Sequence, residues 1–279
     1  MLALISPAKK LDTDSEAPFD DFTVPQLLDK SDELVDTVKD LGKTKLKILM
    51  KISDALTELN HARFEQYETP FTPNNAKQAV FMFRGDTFVG LDADTLENND
   101  LTYAQDRLNI LSGLYGMLRP LDLIQPYRLE MGTKLSTRHG KNLYEFWGSQ
   151  LTDACNEATK SHDNRTVVCL ASNEYIKAIQ PKGLAGPFIT CHFKEIRDGV
   201  PRSFGFVVKK ARGKMARFMV QNRVDNKEGL KDFSEDGYTF APELFDILVD
   251  DPAVIAEGVP YFQVRLLGAL GVGFNFAFR

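Results

Sequence analysis

The amino-acid sequence predicts an α+β fold, a single mixed domain rather than a regular βαβ array. Two features carry that expectation. Strand-length apolar runs and helical periodicities follow one another in irregular order along the 279 residues. No Pro/Gly/Ser-rich linker, low-complexity tract or repeat divides the chain, and 43% hydrophobic with 26% charged residues is ordinary globular usage.

Met1 to Ile5 reads as a buried strand ending in the polar turn Ser6-Pro7-Ala8-Lys9. Thr23, with Gln26 three residues on, has the form of a capping box opening a helix through Leu34 and Val38. Leu46, Leu49, Ile52, Leu56 and Leu59 recur at helical spacing, which predicts one amphipathic helix over 44–64. Thr72-Pro73 opens a further short helix, and Arg84-Gly85-Asp86 turns into a strand over 87–91. Leu101, Ala104, Leu108 and Leu111 mark a helix that stops at Gly113. Residues 142–159 read as helical, with Phe146, Trp147 and Leu151 on the apolar side. The apolar run 166–170 predicts a central strand, leading through Ala171-Ser172-Asn173 into a short helix over 174–179. Strands are expected over 188–196 and 203–208, the second running into Lys209-Lys210-Ala211-Arg212-Gly213-Lys214 and a helix through Met219.

Several classes are excluded at this level. The opening apolar run is too short for a secretory signal, and no stretch reaches the roughly 20 apolar residues of a membrane span. A soluble, cytoplasmic protein with no membrane partner is the expectation. Cys155, Cys169 and Cys191 are odd in number and share no motif spacing, so buried free thiols are expected. The four histidines lie far apart, and neither a metal site nor a cofactor is indicated.

Charge is segregated. The net charge is −5, yet 202–223 holds seven Lys/Arg and no acid, whereas 1–40 holds four Lys against ten Asp/Glu. Such a distribution sets a local positive field inside an acidic protein and suits an anionic partner. Lys210, Lys214 and Arg217 fall on one helical face at the start of the expected helix, where they oppose the macrodipole and repel one another. Either an external anion neutralises them, or the face is solvated, or acids arrive through the tertiary fold. Three segments join an expected strand to a polar turn: Ser6 to Lys9, Ala171 to Glu174, and Lys209 to Gly213. Strand ends of this kind make anion sites, although Ser172 and Asn173 also suit a plain helix cap. Leu111-Ser112-Gly113-Leu114-Tyr115-Gly116 joins an expected helix to a glycine turn, as in hairpins that offer backbone N–H groups to DNA phosphates. A helix C-cap at Gly113 explains the glycine equally well.

Several long motifs resemble the YaaA peroxide-stress family. They are Ile5 to Lys9, Leu111 to Asp122, Pro126 to Gly132, Leu143-Tyr144 with Phe146-Trp147, Leu170 to Tyr175, and Lys209 to Gly213 with Arg217-Phe218. The resemblance runs over residues 1–240. Family members finish soon after the Gly237-Tyr238-Thr239-Phe240 segment, whereas 241–279 here is a longer, atypical tail, open to being loosely packed, with an apolar glycine-rich stretch at 266–273. The resemblance implies a cytoplasmic protein of the hydrogen-peroxide response, linked to lowering free iron and protecting DNA. It also implies a mixed fold of its own type, a curved sheet surrounded by helices. A basic cleft and a helix-hairpin-helix element would bind double-stranded or structured DNA without sequence preference.

Carried onto this chain, the phosphate-binding candidates are Lys9, Lys10, Arg119 and Arg128 together with Gly113 and Gly116 of the hairpin. Lys209, Lys210, Arg212, Lys214 and Arg217 complete the set. The alternative is an enzyme acting on a nucleotide or on a base in DNA at the same cleft. Its polar groups would be Ser6, Lys9, Glu130, Ser172, Glu174, Tyr175 and Arg212, with Glu174 as general base. No Walker loop, Rossmann fingerprint or nucleophile elbow supports it, so a non-enzymatic binder is the first reading. An iron-binding protein is the third, with little in the histidines or cysteines to support it.

Overall fold

A computed structural model describes residues 1–197, 200–241 and 262–268. The chain opens with β1 (Leu2–Ile5), apolar and buried at every position, and a short β2 (Lys10–Leu11). Three helices follow, α1 (Leu28–Lys39), α2 (Gly42–Met50) and α3 (Asp54–Glu65). Next come β3 (Lys77–Gln78), α4 (Ala79–Met82), β4 (Phe83–Arg84) and α5 (Asp86–Leu91). The middle of the chain forms α6 (Asn98–Arg107), β5 (Leu108–Ser112), β6 (Gly116–Leu118) and β7 (Leu123–Ile124). Then α7 (Leu143–Trp147), α8 (Gln150–Ala158), β8 (Val167–Cys169) and α9 (Asn173–Ile176) lead to β9 (Phe188–Arg197). The last elements are β10 (Val200–Arg202), α10 (Gly205–Gln221), β11 (Thr239–Phe240) and β12 (Phe262–Gly268).

An eight-stranded sheet runs in the order β11-β12-β9-β8-β1-β5-β6, with β10 paired to β9. Its centre is parallel: β1 lies between β5 and β8, so Leu4 stands opposite Asn109 on one side and Cys169 on the other. β9 continues this parallel array, while β6 and β11 pair antiparallel at the two ends. Strands such as Leu2–Ile5 and Val167–Cys169, with no polar face, suit a sheet covered on both sides. The fold is thus mixed, with helices around the sheet: α10 packs on β1 and β9 and crosses α5, and α6 packs on β1 and β5. Among the described residues no helix is long and apolar enough to cross a membrane.

The clearly patterned elements fall where the sequence predicts them, and the ambiguous runs do not. Thr23 caps no helix. Its hydroxyl donates to Asp122 Oδ1 at 2.6 Å, and the helix begins five residues later at Leu28. The helix expected over 44–64 is two, because Lys51 adopts a left-handed conformation (φ 53°) and the Ser53 hydroxyl caps α3 through the Leu56 N–H. Thr72-Pro73 forms a turn in which the Asn75 side chain accepts the Thr72 N–H. Residues 87–91 are helical rather than extended, and the run 101–113 divides into α6 and the strand β5. The 142–159 helix breaks at Gly148 (φ 51°). Residues 205–208, expected in a strand, are already the first turn of α10. Runs this short fit either period, and burial against neighbours decides between them. Of the 241–279 tail, residues 262–268 lie beside β9 as β12, and the rest falls outside the described residues apart from Ala241.

Candidate functional site

The order β5-β1-β8-β9 places the second parallel strand on one side of β1 and the third on the other. At such a switch point the loops leaving the carboxyl ends diverge and open a crevice. Here they do so between the segments after β1 and β8. The Leu170 N–H donates to the Leu4 carbonyl at 2.8 Å, and the Ser172 N–H donates to Ser6 Oγ at 2.8 Å, so the two expected strand-end turns lie side by side. A cleft of about 360 Å³ opens there, bounded by Ser6 to Lys10, Arg84 to Thr87, Tyr127 to Glu130 and the Ser172–Tyr175 region. Lys209 and Arg212 of α10 close it.

Charge inside the cleft is unevenly compensated. Glu130 is clamped between two cations, Lys9 Nζ at 2.7 Å and Arg128 Nη2 at 3.1 Å. Arg84 is held by Asp12 at 3.2 Å and Asp94 at 3.0 Å. Arg212 is different. It is mostly buried and has no acid within ion-pair distance among the described residues; its Nε, like that of Arg128, is buried with no hydrogen-bond partner. Burial lowers its pKa, with the Cys169 and Cys191 sulfurs opposing that shift. Lys10 and Lys209 are exposed and likewise have no acid partner among the described residues. A buried, unmatched guanidinium carries a large desolvation penalty that an anion would relieve.

The remaining polar groups mostly hold the cleft in shape. Glu174 Oε1 accepts the Gly132 N–H at 2.9 Å, and Tyr144 donates to the Glu174 carbonyl at 2.8 Å, so this carboxylate tethers the loop after Leu129. Tyr127 is buried with its hydroxyl 2.6 Å from Ser112 Oγ, and burial raises its pKa. Tyr175, also buried, has its pKa raised chiefly by desolvation.

The cleft gathers some of the sequence candidates and disperses others. Lys9, Lys10, Arg128, Lys209 and Arg212 line it, as do Ser172 and Glu174. Lys210, Lys214 and Arg217 do not. Lys214 pairs with Asp236 at 2.6 Å and Glu235 at 3.8 Å, Lys210 with Asp236 at 3.8 Å, and Arg217 with Asp92 at 3.6 Å. Because α10 begins at Gly205, these residues also lie past its first turn, so the macrodipole argument does not hold. Arg119 is occupied by Asp122 at 2.8 Å.

Gly113 and Gly116 belong to a β-hairpin turn between β5 and β6, so Leu111 to Gly116 is not a helix-hairpin-helix. The turn is buried throughout, and its Leu114 and Tyr115 N–H groups are already bound to Ser112 Oγ. A helix–turn–helix does occur at α2–α3, joined by Lys51-Ile52-Ser53, where sequence periodicity suggests a single helix. Lys43 and Lys47 there pair with Glu58 and Asp54, and Lys45 and Lys51 have no acid partner among the described residues. Arg84, Asp86 and Thr87 enter the cleft without a sequence signal beyond the Arg84-Gly85-Asp86 turn, and Tyr127 enters from the Pro126 to Gly132 motif, which does not single it out as a site residue.

Residues 1–244 match the family model described as peroxide stress protein YaaA. A UPF0246 protein of Pseudoalteromonas translucida is 51% identical over 243 residues, covering 87% of this chain and 94% of that protein. One of Alteromonas mediterranea is 49% identical over the same length, and one of Shewanella pealeana is 48% identical over 257 residues, 92% of this chain and 99% of its own. With most of its length matched by the family model and near-half identity to these full-length relatives, the chain belongs to the YaaA peroxide stress protein family.

Proposed function

We propose that this peroxide stress protein binds DNA through its phosphates, without reading sequence, and that the cleft after β1 and β8 holds one of those phosphates. The observation that carries the reading is Arg212, a largely buried guanidinium facing the cleft with no counter-charge among the described residues. Lys209 and Lys10 add positive potential beside it. Fixed cations around a concave surface capture a polyanion by displacing its counterions, which favours affinity over specificity. The α2–α3 turn, with Lys45 and Lys51 exposed and the first N–H groups of α3 at its end, is a second phosphate contact of the same kind. Protection of DNA during peroxide exposure would follow from occupancy of its backbone.

The test is a comparison of two double variants in DNA-binding titrations at several salt concentrations. K209A/R212A is expected to weaken binding at least about tenfold and to flatten the salt slope by about 0.9 for each phosphate that the cleft no longer neutralises. K210A/K214A, whose lysines serve Asp236 and Glu235, is expected to stay close to the parent. Equal weakening in both variants, or none in either, would remove the cleft from DNA binding.

A further inference from the structure

We infer that the cleft accepts one complete nucleotide unit, phosphate and base together, with Glu130 receiving the N–H edge of a guanine. This rests on the reading of Arg212 as a phosphate anchor and specifies what else enters.

The cleft has two chemically distinct features. Arg212 and Lys209 present cationic donors with no acid attached to them among the described residues. Glu130 presents a carboxylate, fixed by Lys9 through Oε2 at 2.7 Å and by Arg128 through Oε1 at 3.1 Å. A carboxylate repels phosphate, so Glu130 is not itself a phosphate contact; Glu174, the other glutamate of the lining, is already engaged by the Gly132 N–H. Each carboxylate oxygen has two acceptor positions, so one cation on each leaves a second lone pair on each. Two adjacent free acceptors match two adjacent donors. Guanine supplies them on its pairing edge, N1–H beside the exocyclic N2–H. Thymine offers a single N–H flanked by two carbonyl oxygens, which a carboxylate repels.

Tyr127, Leu129 and Tyr175 also line the cleft and add apolar surface to its wall. At about 360 Å³ the space is of small-molecule size and too confined for a duplex. A nucleotide from DNA would therefore enter unpaired and unstacked, as bases do in pockets that read an extruded nucleotide. Free nucleotides and unpaired positions in a strand share this chemistry.

The experiment measures binding of dGMP, dTMP and inorganic phosphate to the full chain. In parallel it measures binding of a fully paired duplex and of the same duplex carrying one unpaired guanine. The parent is expected to bind dGMP at least about tenfold more tightly than phosphate or dTMP, the discrimination of a bidentate contact. It is expected to prefer the bulged duplex by a similar factor. E130Q, which replaces one acceptor by a donor, is expected to collapse the dGMP-to-phosphate ratio towards one. R212A is expected to weaken dGMP and phosphate alike.

A parent protein that binds dGMP no better than phosphate overturns the inference, whether or not E130Q folds. Preference for dGMP that survives in folded E130Q overturns the role of Glu130. Salt-dependent duplex binding without dGMP preference leaves the DNA reading standing and this one refuted. Tight dGMP binding without duplex binding does the reverse.

Discussion

Gly213 of α10 lies against the backbone of α5 so closely that the Thr87 carbonyl oxygen occupies the place a β-carbon on residue 213 would take. Gly90 of α5 returns the contact against the Lys210 carbonyl. This reciprocal glycine crossing lets two helices touch main chain to main chain. It also delivers Lys209 and Arg212 to the cleft beside Thr87.

Replacing Gly213 by Ala is therefore expected to destabilise the protein. Alanine gains about 1 kcal/mol of helix propensity over glycine. Overpacking costs about 1–3 kcal/mol, and here the obstacle is backbone, which cannot rotate away. The crossing should win, with a net loss of up to about 2 kcal/mol in urea unfolding and weaker anion binding through displaced Arg212. A G213A protein as stable as the parent would show that the helices part freely.

Lys51 tests the α2–α3 turn from the opposite direction. Its backbone is left-handed, φ 53° and ψ 52°, a conformation that strains any residue with a β-carbon. Lys51→Gly is expected to raise stability by up to about 1 kcal/mol while reducing DNA affinity, so stability and binding move apart. Denaturation and DNA titration on one preparation measure both; falling stability would mean the Lys51 side chain packs in a way its exposure does not suggest.

Asp12 gives a pH dependence. Its carboxylate accepts the Ser15 hydroxyl at 2.7 Å and the Ser15 N–H at 3.0 Å. These bonds, with the Asp14 N–H and the Lys77 charge, hold its pKa well below the usual 3.8, against some desolvation. A depressed carboxyl pKa stabilises the fold at pH above 3.8, and that stabilisation is lost as pH falls towards the folded-state pKa. Asp12→Asn is expected to cost about 1 kcal/mol at neutral pH, with the gap to the parent closing below pH 3.8. A gap constant from about pH 7 to about pH 3 would contradict the assignment.

The three cysteines should be silent in the native protein. All are buried, and burial pushes Cys169 up to about 11, Cys155 up to about 12 and Cys191 higher still. Thiolate is the reactive species, so peroxide and alkylating reagents should modify them only on unfolding. Mass spectrometry of native protein after a short peroxide pulse reads this directly, and oxidation at Cys169 before any loss of structure would contradict it.

Local pattern settles an element where it has one meaning. Leu2–Ile5 and Val167–Cys169, apolar on both faces, are strands in the middle of the sheet. Leu34 and Val38 keep their helical spacing within α1. A short run that fits two periods is not settled this way: Leu108 and Leu111 continue a helical series in the sequence but pair as strand with β1 and β6. At the site, Lys9, Lys10, Arg128, Lys209 and Arg212 are legible in the sequence as a basic set. The Leu111–Gly116 turn has the residues of a DNA hairpin, and its burial, a tertiary property, rules that role out.

Membership of the family, the mixed fold class and the segregation of charge were determined by the sequence itself, since each rests on residue identity and near-neighbour order. Which cations remain unmatched was decided only by the tertiary structure. Lys214 meets an acid 22 residues away and Arg217 one 125 residues away, whereas Arg212, close to both in the chain, turns to the other side and meets none among the described residues. Electrostatic compensation depends on distance in space, and helix geometry sends neighbours along one element to different surroundings.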